Sequence, residues 1–206
     1  MVAAGLVCCH PRKRIQTTVP DPGAPQVADL VGRDFTATGP DQTWVGDISY
    51  IRVGTRWAYL ATVIDVFGRK VVGYAVADHM RESLATTALS NALKHRGWPQ
   101  NVIFHSDRGA QYTSKAFAQF CADHSVRRSV GRVGSCYDNA VAESFFATIK
   151  KELIYRQPWL RVSELRKAVF ECIEIYYNRN RLHSANNYLT PNEYEIEYKH
   201  NQLNAA

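Results

Sequence analysis

A chain of 206 residues with 46% hydrophobic content can bury a sizeable core, and one main domain is the expectation. No apolar run is long enough to span a bilayer, and the opening MVAAGLVCC has no basic residues before it, so neither anchor nor signal peptide is expected and the location is read as cytoplasmic. Five cysteines, odd in number and never spaced C-x-x-C, argue against a disulfide framework or zinc knuckle, and Cys8, Cys9 and His10 are left as reduced thiols beside a histidine.

Residues 1–40 read as a linker, because Val19–Pro25 (VPDPGAP) can hold no helix and offers few ladder donors. Three strand-like runs follow, Trp44–Val53, Trp57–Phe67 and Lys70–Ala77, with Gly54-Thr55 and Gly68-Arg69 as hairpin turns. In the first, alternation sets Val45, Asp47, Ser49 and Ile51 on one face, and an Asp in mid-strand needs a reason. A helix over Glu82–Arg96 is stopped by Gly97 and Pro99. The apolar strand Asn101–Phe104 then delivers Asp107 to a glycine turn, a common place for ligand residues. Ser114 caps a helix carrying Phe117, Phe120, Cys121 and His124, and a fifth strand near Val126–Val130 leads into the Gly131–Ser135 loop.

The stretch Ser135–Leu153 forms an amphipathic helix capped by Asp138 or Asn139. Val141, Phe145, Ile149 and Leu153 make its apolar stripe, while Asn139, Glu143, Phe146 and Lys150 share another face. Ser163 is expected to cap a helix through Tyr177, with Leu165, Val169, Cys172, Ile173 and Tyr176 inward, and Thr190-Pro191-Asn192-Glu193 is a capping box for a short last helix. The order β-β-β-α-β-α-β-α gives an α/β fold, a five-stranded mixed sheet with helices on both faces, in which Asp47 can neighbour Asp107.

Asp47, Asp107 and Glu143, on a strand, a strand end and a helix, are therefore candidates for one shared site, against the plainer possibility that Glu143 and Lys150 form an ordinary solvated helix face. Charge placement bears on the choice. The net charge is +6, and residues 127–181 alone hold 11 basic against 6 acidic residues. Lys150, Lys151, Arg127, Arg128, Arg179 and Arg181 belong to that excess and would suit a phosphate backbone, although surface cations also serve solubility.

The motifs RDFTATGPDQTWVGDISYI, YLATVIDVFGRKVVGYAV, HSDRGAQYTS, SCYDNAVAESFFATIKKE and YNRNRLHSANNYLTPNEY resemble, in order across residues 33–198, the catalytic half of two-frame insertion-sequence transposases, relatives of retroviral integrase. On that resemblance the acidic triad falls on Asp47, Asp107 and Glu143, with 35 residues between the last two, and the family's basic residue seven positions after its Glu falls on Lys150. What it implies is a ribonuclease H-like core over residues 41–180 with a tail at 181–206, and strand breakage with transfer of a 3′-hydroxyl to target DNA. It also implies Mg2+ or Mn2+, as two ions about 3.5–4 Å apart. His105 shares a strand face with Asp107 and is weighed for a direct role near the phosphate against a packing or supporting one, and Asn139 is a further candidate support of the triad. Asp65, Asp78 and Asp138 are set aside as structural. The implied partners are DNA, further copies of the chain, and a helix-turn-helix protein of the upstream frame or a full-length fusion. In residues 1–40 no helix-turn-helix is found, and AAGL near Met1 is read as the tail of that upstream region, so binding without choice of element ends is expected. A non-catalytic, DNA-binding or inhibitory fragment and a nuclease that hydrolyses without joining are the alternatives.

Overall fold

The structure is a computed structural model and describes residues 27–131 and 140–204. Strands β1 (Thr43–Val53), β2 (Arg56–Asp65) and β3 (Val71–Ala77) form an antiparallel meander. Gly54 supplies the positive φ, 55°, that the two-residue β1–β2 loop requires. In the β2–β3 turn the left-handed residue is Arg69 (φ 59°) and not the glycine before it. Helix α1 (Glu82–His95) follows, then β4 (Ile103–Ser106), the single turn α2 (Ala110–Thr113), α3 (Lys115–Asp123), β5 (Arg127–Val130), α4 (Ala140–Glu152), α5 (Val162–Phe170) and α6 (Pro191–Asn204). The five strands lie in the order β3-β2-β1-β4-β5, with β4 parallel to both β1 and β5.

Helices cover both faces, as the element order implies. On one face Trp44, Val63 and Phe104 pack against Leu89 and Leu93 of α1 and Phe117 of α3. Gly73 is needed there, since a Cβ at that position would strike the α1 backbone at Ala88 and Ala92. On the other face Val45, Ile51 and Leu60 meet α4 and α5. α4 buries Val141, Ala142, Phe145, Phe146 and Ile149, a stripe two residues wide, each large side chain contributing roughly 1.5–3 kcal/mol. Phe146 thus belongs to the core and not to the face of Glu143.

Several expected boundaries move. β4 starts at Ile103, not Asn101, because Asn101 takes a left-handed φ of 63° and gives its N–H to Ser125. Ser114 caps α3 as expected, accepting from the Phe117 N–H at 3.1 Å. Ser163 does not cap α5; Arg161 holds the N-cap position, after Trp159 is pinned to β1 by a bridge to Val53 and by the Gly54 N–H. Beyond Phe170 the helix widens into a π-turn over Glu171–Tyr177. The wider turn keeps Leu165, Val169, Ile173 and Tyr177 in line at a constant spacing of four, so Tyr177 is buried where Tyr176 was expected. The capping box is present, with Glu193 accepting the Thr190 N–H at 2.9 Å and Thr190 Oγ1 accepting the Glu193 N–H at 3.2 Å, but the helix that it starts is 14 residues long, not short.

Two features hold the margins of the sheet. At the outer edge of β3, side chains bond the backbone: Asn178 to both Val71 N–H and Val71 C=O, His95 Nδ1 to Val72 O, Asn91 to Tyr74 O and Arg166 to Val76 O. Behind β2, Arg96 joins Asp41 (2.6 Å), Asp65 (3.6 Å) and Glu195 of α6 (2.9 Å), and Lys70 also reaches Glu195 (3.0 Å).

Candidate active site

The register of β1 against β4 brings two carboxylates together. Val45 pairs with His105 and Gly46 with Ser106, so Asp47 and Asp107 are the next residues on adjacent parallel strands, which lie about 4.8 Å apart. Gly46 matters to this approach, because a Cβ there would collide with the Phe104 ring of β4. Alternation puts Asp47 on the face of Val45 and Ile51, the face that α4 covers, and Glu143 stands exposed in the first turn of α4. Asp47 therefore faces Asp107 across the strands and Glu143 across the layer.

Electrostatics record the same convergence. Burial pushes the Asp47 carboxyl up to about 7; the Ile48 N–H, donating at 2.7 Å, opposes this, the charges of Asp107 and Glu143 add to it, and Lys150 opposes it again. Asp107 leaves the strand in a turn closed by the Gly109 N–H on its Oδ1, at 2.9 Å. Tyr112, which the sequence motif contains but which was not singled out, is buried, and its hydroxyl ionisation is raised well above the ordinary value by burial and then by Asp47 and Asp107. An aromatic residue following the Asp107 turn was the available signal.

The other sequence candidates are dispersed. Lys150 is half-buried, its Nζ 5.8 Å from the Tyr50 ring centre and 6.0 Å from that of Phe146, whereas Lys151 is exposed. His105 is buried, bonded through Nδ1 to Ser129 Oγ at 2.8 Å, 4.0 Å from Asp29 Oδ1 and edge-on to Phe35. Arg128 holds the Tyr112 carbonyl at 2.9 Å, and Arg127 is exposed on β5. Arg181 lies against Glu152 (3.5 Å) and the Tyr177 ring, and Arg179 lines a cleft with Tyr74, Asn91 and His95 near the β3 edge, two strands from β1. Asn139, the helix cap and most of the loop before α4 lie outside the described residues.

Among the described residues no three acidic, histidine or cysteine side chains are gathered closely enough to enclose an ion as they stand. The donor set nevertheless fits a divalent cation in kind: hard carboxylate oxygens, mutually repelling, one of them half-buried with a single backbone N–H and, among the described residues, no direct cation partner. Among the described residues no helix is long and apolar enough to cross a membrane.

Comparison with known proteins agrees with this architecture. Residues 37–136 and 124–191 match families each described as "Integrase core domain". Transposase InsF for insertion sequence IS3A of Escherichia coli K12 is 43% identical over 173 residues, 84% of this chain and 60% of that protein. The chain thus spans about three-fifths of the length of that relative. An insertion element IS600 uncharacterized 31 kDa protein of Shigella sonnei is 35% identical over 193 residues, 94% of this chain and 71% of the relative. In fold, the chain resembles the HTLV-2 integrase catalytic core domain solved in complex with magnesium (TM-score 0.60, 17% identity, 78% of this chain, 99% of the other). It also resembles the catalytic domain of Mos1 mariner transposase (TM-score 0.54, 14% identity, 66% of this chain, 71% of the other). The sheet and its helices are accordingly of the ribonuclease H-like type.

Proposed function

This chain belongs to the integrase-core transposases of bacterial insertion sequences, and from that premise we propose that it carries out metal-dependent cleavage at element ends and transfer of the 3′-hydroxyl to target DNA. The observation that carries the proposal is the β1–β4 register, which sets Asp47 beside Asp107 on the face that Glu143 overhangs.

In this reading residues 41–180 are the catalytic unit, and Asp47, Asp107 and Glu143 hold Mg2+ or Mn2+. When bound, such ions activate the attacking oxygen and offset the charge that builds on the phosphoryl and leaving oxygens. The chain's own part is positional. β1 and β4 fix the two aspartates on a buried sheet, so little reorganisation is needed when the phosphate arrives. α4 supplies Glu143 from a helix anchored by five buried side chains, and Lys150, near enough to act on Asp47, gives the DNA phosphate a cation close to the acids. Burial, and then the charges of Asp47 and Asp107, hold the Tyr112 hydroxyl in its protonated form. DNA, and further copies of the chain bound to it, are the proposed partners.

The experiment is incubation of the chain with labelled element ends, Mg2+ and a target plasmid. Cleaved and joined products are expected from the wild type and none from Asp47→Asn, Asp107→Asn or Glu143→Gln. Joining by any of the three folded variants at the wild-type rate would remove that residue from the site.

A further inference from the structure

Tyr50 and Trp57 stand exposed on neighbouring strands, 64% and 44% open to solvent, on the hairpin formed by β1 and β2. Their rings meet edge-to-face at 5.2 Å. A cation lies over each: Arg52 is 5.4 Å from the Trp57 ring centre, and Lys150 is 5.8 Å from that of Tyr50. Arg52 is also the direct cross-strand partner of Trp57, so the cation and the ring are fixed by register. This cluster touches the acidic site through one side chain, because the Lys150 ammonium that sits over Tyr50 also acts on Asp47. Along β1, Tyr50 is three residues beyond Asp47, about 10 Å of strand, an odd spacing that turns it to the opposite face of the sheet, so that Lys150 is the group spanning the two.

An edge-to-face pair across two strands also stabilises a hairpin. That role accounts for the contact between the rings but not for their exposure, nor for a positive charge over each at the margin of a carboxylate site. Exposed aromatic faces flanked by cations are what an unpaired nucleobase and its phosphates need: the ring accepts the base by stacking, without regard to sequence, and the cations answer the backbone charge. Inside a duplex each base is covered on both faces by its neighbours; a frayed or single-stranded flank frees them.

We propose that Tyr50 and Trp57, with Arg52 and Lys150, form a stacking platform for an unpaired base of the DNA strand held at the acidic site. The proposal rests on the transposase reading for its partner and adds where the strand next to the reacting phosphate goes. In chemical terms the ligand is single-stranded DNA continuous with a duplex, bound without base-specific hydrogen bonds.

The test uses the full chain and a short duplex of arbitrary sequence, either blunt or carrying an unpaired flank that contains 2-aminopurine. Affinity is read by anisotropy at fixed salt, and stacking by quenching of the 2-aminopurine emission. The wild type should prefer the flanked duplex by about tenfold, with quenching, which is the size expected of one stacked base. Tyr50→Leu should erase both, and Tyr50→Phe, which keeps the ring, should retain both. Should Tyr50→Leu fail to fold, Trp57→Leu and Arg52→Gln carry the same expectation of loss. Equal affinity of the wild type for the two duplexes, or a preference that survives both Tyr50→Leu and Trp57→Leu, overturns the platform. The transposase reading fails separately: flank preference with quenching but no cutting by the wild type upholds the platform and sinks that reading, whereas cutting and joining without flank preference does the reverse.

Discussion

Asp47 and Asp65 lie on adjacent strands, and burial lifts both carboxyls to about 7, yet their surroundings have opposite character. Asp65 is fully enclosed and answered: it accepts the Asp41 N–H at 2.8 Å and the Phe67 N–H at 3.0 Å, and Arg96 stands 3.6 Å away, bound in turn to Asp41 and Glu195. Asp47 receives one N–H from its own neighbour and otherwise meets two like charges, with Lys150 as the opposing one. A closed ring of charges locks Asp65, and an open one around Asp47, three register positions along the same strand pair, holds unmet demand for positive charge. Desolvation alone does not tell a structural carboxylate from a reactive one; the difference lies in whether the protein itself supplies the counter-charge.

That contrast can be broken from either side. Removing the Asp47 charge with Asp47→Asn should cost strand joining several kcal/mol of transition-state stabilisation, about three powers of ten in rate, while Asp65→Asn leaves the chemical step within a few-fold once protein stability is matched. Single-turnover joining assays on both variants check this. Next in size, Arg96→Met should destabilise the fold by roughly 3–5 kcal/mol, because it takes the cation from the enclosed Asp65 and leaves Glu195 to Lys70 alone, and urea denaturation measures it. A comparable loss from Lys150→Met would mean that the two carboxylate sites are not different in kind.

The pH dependence sharpens the same point. Asp47 has a folded pKa of about 7, above its ordinary 3.8, so the protonated folded state is favoured and its stabilising contribution is complete below about pH 4 and lost as pH rises through 7. Asp47→Asn should therefore raise the thermal midpoint at pH 8, by the equivalent of about 2–4 kcal/mol, and leave it nearly unchanged at pH 4. Mg2+ should raise the wild-type midpoint more at pH 8 than at pH 5.5, since only the ionised carboxylates bind it, and the gain should vanish in Asp47→Asn. The smallest effect is expected at α4: Lys150→Ala should weaken DNA binding several-fold more than Lys151→Ala, measured by competition at fixed salt, because only the former stands over Tyr50 beside the acids.

How far the sequence anticipates these two sites follows from the range of the contacts. The site was legible because local patterns carry it: alternation sets the face of Asp47, a strand end followed by glycine delivers Asp107, and helical spacing separates Glu143 from Val141 and Phe145. The Arg96 ring was not, for its partners are 55 and 99 positions away in the chain and no periodicity links them. Asp65 could be set aside from its place in a strand, but not assigned a partner. The same limit applies to Tyr112, whose importance depends on two carboxylates contributed by different strands. The π-turn in the helix after Trp159 was missed for another reason: a stripe at constant spacing of four fits an α-helix for two turns, and only a third exposes the drift that the wider turn corrects.

The side chains clasped along the β3 edge have a consequence for the life of the protein outside its reaction. An edge strand this apolar would offer any other copy a template, and growing chains on neighbouring ribosomes are held at short range from one another. Each added strand would first have to displace Asn178, His95, Asn91 and Arg166 from their backbone partners, five bonds in all. Runaway polymerisation through that margin is thereby opposed before it starts.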